Sequence, residues 1–329
     1  MNSAPRTWLP HQYPQQWFSV SNKNVSSQFD VSLVQELEHP GTIHSMNCSP
    51  DGQCIATGCR VSAQIFSLNT GIKIAHFIDD DKPFCLSPRT SLNRAVCFSP
   101  DGQQLATGGD DYIIRIWDIR RRCISRRLEG HISSIRTLHF SADGRYLISA
   151  STDLLVITWD MKEGRSAGSW RFSVDDGPPL NCDSIAFSSD HNFFAAAAFG
   201  DIGCELLVWN TETKALIDRR DVVFHGLRRR TPPLAFSPTT NRLAYSESTD
   251  CRINLRDINM GETSKEWSYG VRTTIISSGW SPDGNLLMSG DMDGSVEVWN
   301  GVDDQSQALL VAHNGPIGKS PVSVTKLIV

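Results

Sequence analysis

One short phrase returns along the chain at nearly constant intervals, and that recurrence restricts the fold more than any other feature. Ser-Pro-Asp-Gly begins at Ser49, Ser99 and Ser281. Variants stand at Ser141-Ala142-Asp143-Gly144, Ser188-Ser189-Asp190-His191 and Ser237-Pro238-Thr239-Thr240. The six serines are separated by 50, 42, 47, 49 and 44 residues. A fixed period of this length means a stack of like supersecondary units rather than one irregular core. After each phrase comes a short run ending in small or polar residues, such as Ala106-Thr107-Gly108. A further β-branched run then closes on an aromatic and a polar residue: Trp117-Asp118, Trp159-Asp160, Trp209-Asn210 and Trp299-Asn300.

A period of about 40–50 residues with a Trp-Asp signature and four short strands per unit is the pattern of a WD-repeat β-propeller. The fold expected is all-β. Asp-Gly at 101–102 and 143–144 suits tight hairpins, because glycine accepts a positive φ. Ile113-Ile114-Arg115-Ile116-Trp117 is apolar on both faces, as a strand covered on both sides must be. Each unit carries three inner strands and an outer one, and Phe29–Leu37 reads as a further outer strand. That strand predicts a seven-bladed propeller whose last blade is incomplete, with Pro321–Val329 able to supply one more strand. The alternative is a six-bladed ring with a loose N-terminal strand. The chain divides on this reading into a partly disordered extension at 1–28, bearing Trp8, Tyr13, Trp17 and Phe18, and a propeller at 29–329.

Composition narrows the class of function. With 40% hydrophobic and 20% charged residues in 329, the chain is globular in type. A net charge of −5 argues against a globally basic nucleic-acid binder. The longest apolar run, Phe193–Phe199, is far short of the roughly 20 residues that span a bilayer. The start of the chain carries no secretory pattern. Nine singly placed cysteines, with no Cys-x-x-Cys, read as reduced thiols of cytosol or nucleus. His39, His44 and His76 lack companions at metal-ligand spacing, and no phosphate-loop glycine pattern opens a helix. No cofactor, metal or small-molecule substrate is therefore expected. Asp79-Asp80-Asp81 reads as a solvated loop. Two basic clusters, Arg120-Arg121-Arg122 with Arg126-Arg127 and Arg228-Arg229-Arg230, read as a solvated rim, with nuclear import or an acidic partner as rivals.

His131, Ser149, Asp153 and Trp159 imitate a hydrolase triad. The spacing argues for a structural role instead. The interval of six from turn Asp to Trp recurs as Asp111 to Trp117 and Asp293 to Trp299. The hydroxyl four residues before the Asp recurs as Thr107 and Ser289, and no nucleophile-elbow motif is present. The likeness to WD repeats implies a buried tetrad hydrogen-bonded in series. Three units depart from it: Phe66 stands near the Trp position of the first, Asp201–Cys204 lengthens the turn of the fourth, and Arg256 replaces Trp in the fifth, with Ser246 and Asp250 at the usual spacing.

Several segments resemble a narrower family. Gln16-Trp17-Phe18 with Phe29–Val34, Ala56-Thr57-Gly58-Cys59, Ala63-Gln64-Ile65-Phe66, Arg94–Gly102, Leu105–Gly108 and Ile114–Ile119 are similar to the propeller of Tup-type, Groucho-like fungal transcriptional co-repressors. The resemblance implies a nuclear, non-enzymatic scaffold. Its implied partners are DNA-binding transcription regulators, with histones or histone deacetylase complexes recruited in turn, and no direct sequence-specific contact with nucleic acid. The alternative is a WD-repeat adaptor of another process, a ubiquitin-ligase substrate receptor or a signalling scaffold. By position in the repeat, Cys59, Arg60, Leu92, Asp110, Tyr112 and Arg136 are expected on or near the partner-binding face. Leu92-Asn93 ahead of Arg94 departs from that family's polar approach.

Overall fold

The computed structural model describes residues 8–11, 18–22, 37, 39, 43–59, 62–79, 93–171, 181–199, 204–222, 232–247, 252–259, 262–268, 275–281, 283–291, 295–300 and 306–311. Strands β1 (Trp8–His11) and β2 (Phe18–Asn22) come first. Blade 1 follows as β3 (Ile43–Cys48), β4 (Cys54–Cys59), β5 (Ser62–Ser67) and β6 (Lys73–Ile78). Blade 2 is β7 (Asn93–Phe98), β8 (Gln104–Gly109), β9 (Ile114–Asp118) and β10 (Cys123–Leu128). Blade 3 is β11 (Ile135–Phe140), β12 (Tyr146–Ser151), β13 (Leu155–Asp160) and β14 (Arg165–Arg171). Blade 4 is β15 (Asn181–Phe187), β16 (Phe193–Phe199), β17 (Cys204–Asn210) and β18 (Leu216–Val222). Blade 5 is β19 (Leu234–Phe236), β20 (Arg242–Glu247), β21 (Arg252–Asp257) and β22 (Glu262–Ser268). Blade 6 is β23 (Ile275–Trp280), β24 (Leu286–Asp291), β25 (Ser295–Asn300) and β26 (Ser306–Val311). Each blade is an antiparallel meander in chain order, and no helix occurs among the described residues.

Among the described residues the blades number six, which corrects the seven-bladed expectation. The expectation turned on an N-terminal strand founding another blade. The structure instead pairs β2 with β26, setting Phe18 opposite Val311 and Ser21 opposite Ala308, and β1 pairs with β2. These two strands widen blade 6 to six strands in the order β1-β2-β26-β25-β24-β23. They lie within the stretch read as an extension. The strands expected at Phe29–Leu37 and Pro321–Val329 fall outside the described residues, save Leu37. Blades 1 to 4 lie in one compact unit, Gln35–Val222 with Arg228–Thr231. Blades 5 and 6, with β1 and β2, lie in a second.

Apolar blade faces meet one another within each unit. One buried cluster joins Ala56, Ile65 and Phe77 of blade 1 to Val96, Leu105 and Trp117 of blade 2. Another joins Ile114 and Ile116 to Ile135, Leu147 and Trp159 of blade 3. A third joins Ala150 and Val156 to Phe194, Leu207 and Trp209 of blade 4. In the second unit Ile253 and Leu255 meet Leu287 and Trp299. Burying each such side chain contributes about 1.5–3 kcal/mol. The first strands of blades 1 to 4 lie side by side. There Ser45 Oγ and Asn47 Oδ1 accept from the Val96 and Phe98 amides at 3.0 and 3.1 Å, covering backbone donors at a strand edge. Gly108 is required at this seam, since a Cβ there would stand 2.9 Å from Ile135.

The recurring phrase is a hydrogen-bonded hairpin. Ser99 Oγ donates to Asp101 Oδ1 at 2.6 Å and accepts from the Gln104 amide at 2.9 Å, while Asp101 Oδ1 accepts from the Gln103 amide at 3.0 Å. Gly102 turns with φ 68°. Ser49/Asp51, Ser141/Asp143, Ser188/Asp190 and Ser281/Asp283 repeat the arrangement. His191 takes the glycine position at φ 59° in blade 4. In blade 5 Thr239 replaces the aspartate, leaving a longer hydroxyl contact of 3.4 Å to Ser237.

The serine hydroxyl and the following backbone amide hold Asp51, Asp101, Asp143 and Asp283 below the ordinary 3.8. A carboxyl lowered on folding stabilises the protein above its unfolded pKa, and that contribution is lost as pH falls through the folded value. Melting temperature is therefore expected to drop steeply below about pH 4. Asp101→Asn should lower the neutral-pH melting temperature and flatten the acid limb. An unchanged limb in melts from neutral to acid pH would show that the hairpin carboxylates do not set acid stability.

Candidate functional site

The structure brings His131, Ser149, Asp153 and Trp159 into one chain of hydrogen bonds inside blade 3. Trp159 Nε1 donates to Ser149 Oγ at 2.8 Å, Ser149 Oγ lies 2.7 Å from His131 Nε2, and His131 Nδ1 lies 2.8 Å from Asp153 Oδ2. An ionised carboxylate only accepts, so Nδ1 carries a proton toward Asp153. The Asp153 oxygens also accept from the Ile132 and Leu155 amides, each at 2.9 Å. Burial pushes the Asp153 carboxyl up, but the His131 and Ile132 hydrogen bonds outweigh it and hold it below 3.8. Ser149 has no exposed surface, and its Oγ is already engaged from two sides. The arrangement ties turn, strand and blade entrance together.

Other blades keep parts of this chain. Trp117 Nε1 donates to Thr107 at 2.9 Å, and Trp299 Nε1 donates to Ser289 at 3.2 Å. In blade 1 His39 Nε2 lies 2.9 Å from Thr57 Oγ1, and Phe66, which has no N–H, meets the His39 ring at 4.9 Å. Blade 4 sets Ala196 where blade 3 has Ser149, and Trp209 packs against Phe194 and Trp170. Blade 5 differs from the spacing argument. Its register pairs Leu243 with Arg256 and Tyr245 with Asn254, so Tyr245 holds the place of Ser149 and Ser246 falls one step beyond. The hairpin is one residue longer than in blade 3, which sequence spacing does not reveal.

Of the residues expected on a partner face, Tyr112 is exposed, in a left-handed turn at φ 66°. Asp110 is half-buried. Arg94 Nε and Nη2 donate to it at 3.1–3.2 Å, and Ser134 Oγ of the blade 3 entrance also donates to it. It therefore joins blades 2 and 3 as well as facing outward. Arg136 is half-buried on β11. Cys59 is only 1% exposed, so its side chain is core rather than face. Arg60 and Leu92 lie outside the described residues.

Sequence reading missed a buried ion cluster between blades 1 and 2. The Asp79 carboxylate accepts from Arg115 Nε and, at 2.8 Å, from Arg127 Nη2, and Arg115 Nη1 lies 2.8 Å from Asp111. Asp79 is thus core, not the solvated loop expected. Burial raises its pKa and the two arginines more than reverse that. The available signal was Arg115 itself, a charge inside an otherwise apolar strand that must find a counter-ion.

The four-stranded blades have the form of WD repeats. The WD domain, G-beta repeat family matches residues 31–60, 92–118, 122–160 and 268–300. Blades 4 and 5, where the tetrad is replaced, lie outside those matches. Within the class, the chain resembles the Tup-type corepressors. It is 31% identical to the general transcriptional corepressor tupA of Dictyostelium discoideum, over 35% of this chain and 19% of that protein. Identity to the transcriptional repressor rco-1 of Neurospora crassa is 34%, over 37% of this chain and 20% of that protein. With the general transcriptional corepressor TUP1 of Saccharomyces cerevisiae it is 28%, over 37% and 24%. The matches thus span about a fifth of each relative's length.

Two stability predictions follow from this geometry. Ser149→Ala leaves the Trp159 and His131 nitrogens without their partner and should cost about 1–3 kcal/mol, read as a lowered denaturation midpoint. Asp79→Ala takes one of two carboxylates from buried Arg115 and should cost about 1–3 kcal/mol. Replacing Asp79 and Arg115 together by apolar residues should recover part of that loss in a double-mutant cycle.

Proposed function

We propose that the protein is a corepressor-like, non-enzymatic scaffold of the nucleus. On this reading DNA-binding transcription regulators dock on the face carrying Asp110, Tyr112 and Arg136. The scaffold joins them to repressive chromatin-modifying complexes, histones and histone deacetylases among them. The observation that carries the reading is the similarity to three proteins named as transcriptional corepressors or repressors. The blade architecture supports it, because stacked sheets offer loop-built surfaces for protein contact. The one triad-like cluster is buried and engaged in holding its blade. Tyr112 is the first anchor to test, since exposed aromatic residues dominate interface energies.

Proximity labelling of the tagged full chain in its native cells is expected to mark DNA-binding regulators and deacetylase subunits. Tyr112→Ala should reduce capture of the regulators by about tenfold or more, with the melting temperature held. Labelling confined to ubiquitin-ligase or trafficking subunits would select the adaptor reading instead.

A further inference from the structure

The outer strand of blade 1 differs from its counterparts. Edge strands are normally protected by charge, because their free N–H and C=O groups invite another strand. On β10 the exposed row includes Arg127, β14 begins and ends on exposed arginines, and β18 carries Asp218-Arg219-Arg220-Asp221 after its first two residues. β6 has a single exposed Lys or Arg, Lys73 at its first position, and no carboxylate. Around it Ile72, Ile74 and Ile78 are 65%, 39% and 45% exposed, while Ala75 and Phe77 point into the core. Among the described residues β6 pairs only with β5.

Two further features lie beside this edge. The turn after β9 brings Arg120, Arg121 and Arg122 there, all exposed, and Arg122 Nη2 donates to the Ile74 carbonyl at 2.8 Å. An outward-facing carbonyl of β6 thus already accepts a donor from outside its sheet. A cleft of roughly 270 Å³ opens next to it, walled by Ile65, Ile74, Phe98 and Ile119 between the two hairpin turns. The Asp51 and Asp101 carboxylates on its rim are occupied by their own serines and backbone amides. The molecule also shows how such an edge is used: on blade 6 the equivalent outer strand, β26, takes β2 as an added antiparallel strand.

We infer that the outer edge of blade 1 is a docking site for an extended segment of another protein in which apolar and acidic residues alternate. The segment adds to β6 as a fifth strand. Its apolar side chains cover Ile74 and Ile78 and place one in the cleft, and its carboxylates meet Arg120 and Arg121. Charge selects this occupant over a second copy of the chain. A second β6, Lys73-Ile74-Ala75-His76-Phe77-Ile78, has no carboxylate to offer the arginines. The inference stands apart from the corepressor reading and concerns a different surface from the Tyr112 face.

The test is fluorescence anisotropy of the full chain with a labelled dodecamer alternating valine and glutamate, beside the same peptide with lysine for glutamate. The glutamate peptide is expected to bind saturably and to weaken with salt. Ile74→Lys, Ile78→Lys and Arg121→Glu should each weaken it by about tenfold or more while the melting temperature stays unchanged, as all three side chains are exposed. Absence of saturable binding, equal binding of the lysine peptide, or indifference to Ile74→Lys would each overturn the proposal. So would a concentration-dependent dimer, seen by light scattering, that disappears in Ile74→Lys.

Discussion

A four-stranded sheet with two apolar faces is insoluble as a separate object, and every other property of this molecule follows from covering those faces. The covering is done by the next blade. Each buried cluster of the first unit draws on two consecutive blades, and the same holds for the Ile253, Leu255 and Trp299 cluster of the second. Polar atoms caught in this stacking must be paired. Blade 3 pairs them with the Trp159–Ser149–His131–Asp153 chain, and blades 1 and 2 enclose the Asp79–Arg115 pair. Buried charge held this way adds little net stability over an apolar pair, but it penalises any misplacement of one blade against the next.

Blade 4 reaches the same end by different means. With Ala196 in the hydroxyl position, its tryptophan is held by ring contacts to Phe194 and Trp170 rather than by the short polar chain of blade 3. Four consecutive buried alanines, Ala195–Ala198, let neighbouring layers approach closely. A repeat can therefore lose its sequence signature and keep its shape, which is why the family pattern skips this stretch while the strands persist.

Much of the architecture was legible because its causes are local. A serine and an aspartate two residues apart make their own hairpin, and a hydroxyl ten residues before a tryptophan reaches it across one strand pair. Features without a local cause were not legible. Nothing near Phe18 indicates that its strand will meet Val311, and the seven blades expected from Phe29–Leu37 give way to six among the described residues. The extra residue in the blade 5 hairpin moves Tyr245 into the place assigned to Ser246, a slip that only pairing register exposes. Asp79 looked like one of three solvated acids until Arg115, thirty-six positions away, supplied its counter-ion. The exposure of Tyr112 agrees with its place in a turn of the repeat, whereas the burial of Cys59 at the end of β4 has no such local sign.

The junction of β2 with β26 also has a meaning in time. Ser21 leaves the ribosome long before Ala308, its opposite number, exists. At about 5–20 residues per second the wait is on the order of fifteen seconds to a minute. For that interval the β1–β2 pair lacks its third strand, although the blades translated in between can assemble as they emerge. The widened sheet of blade 6 therefore closes late, when a far later stretch of polypeptide reaches a pair already made.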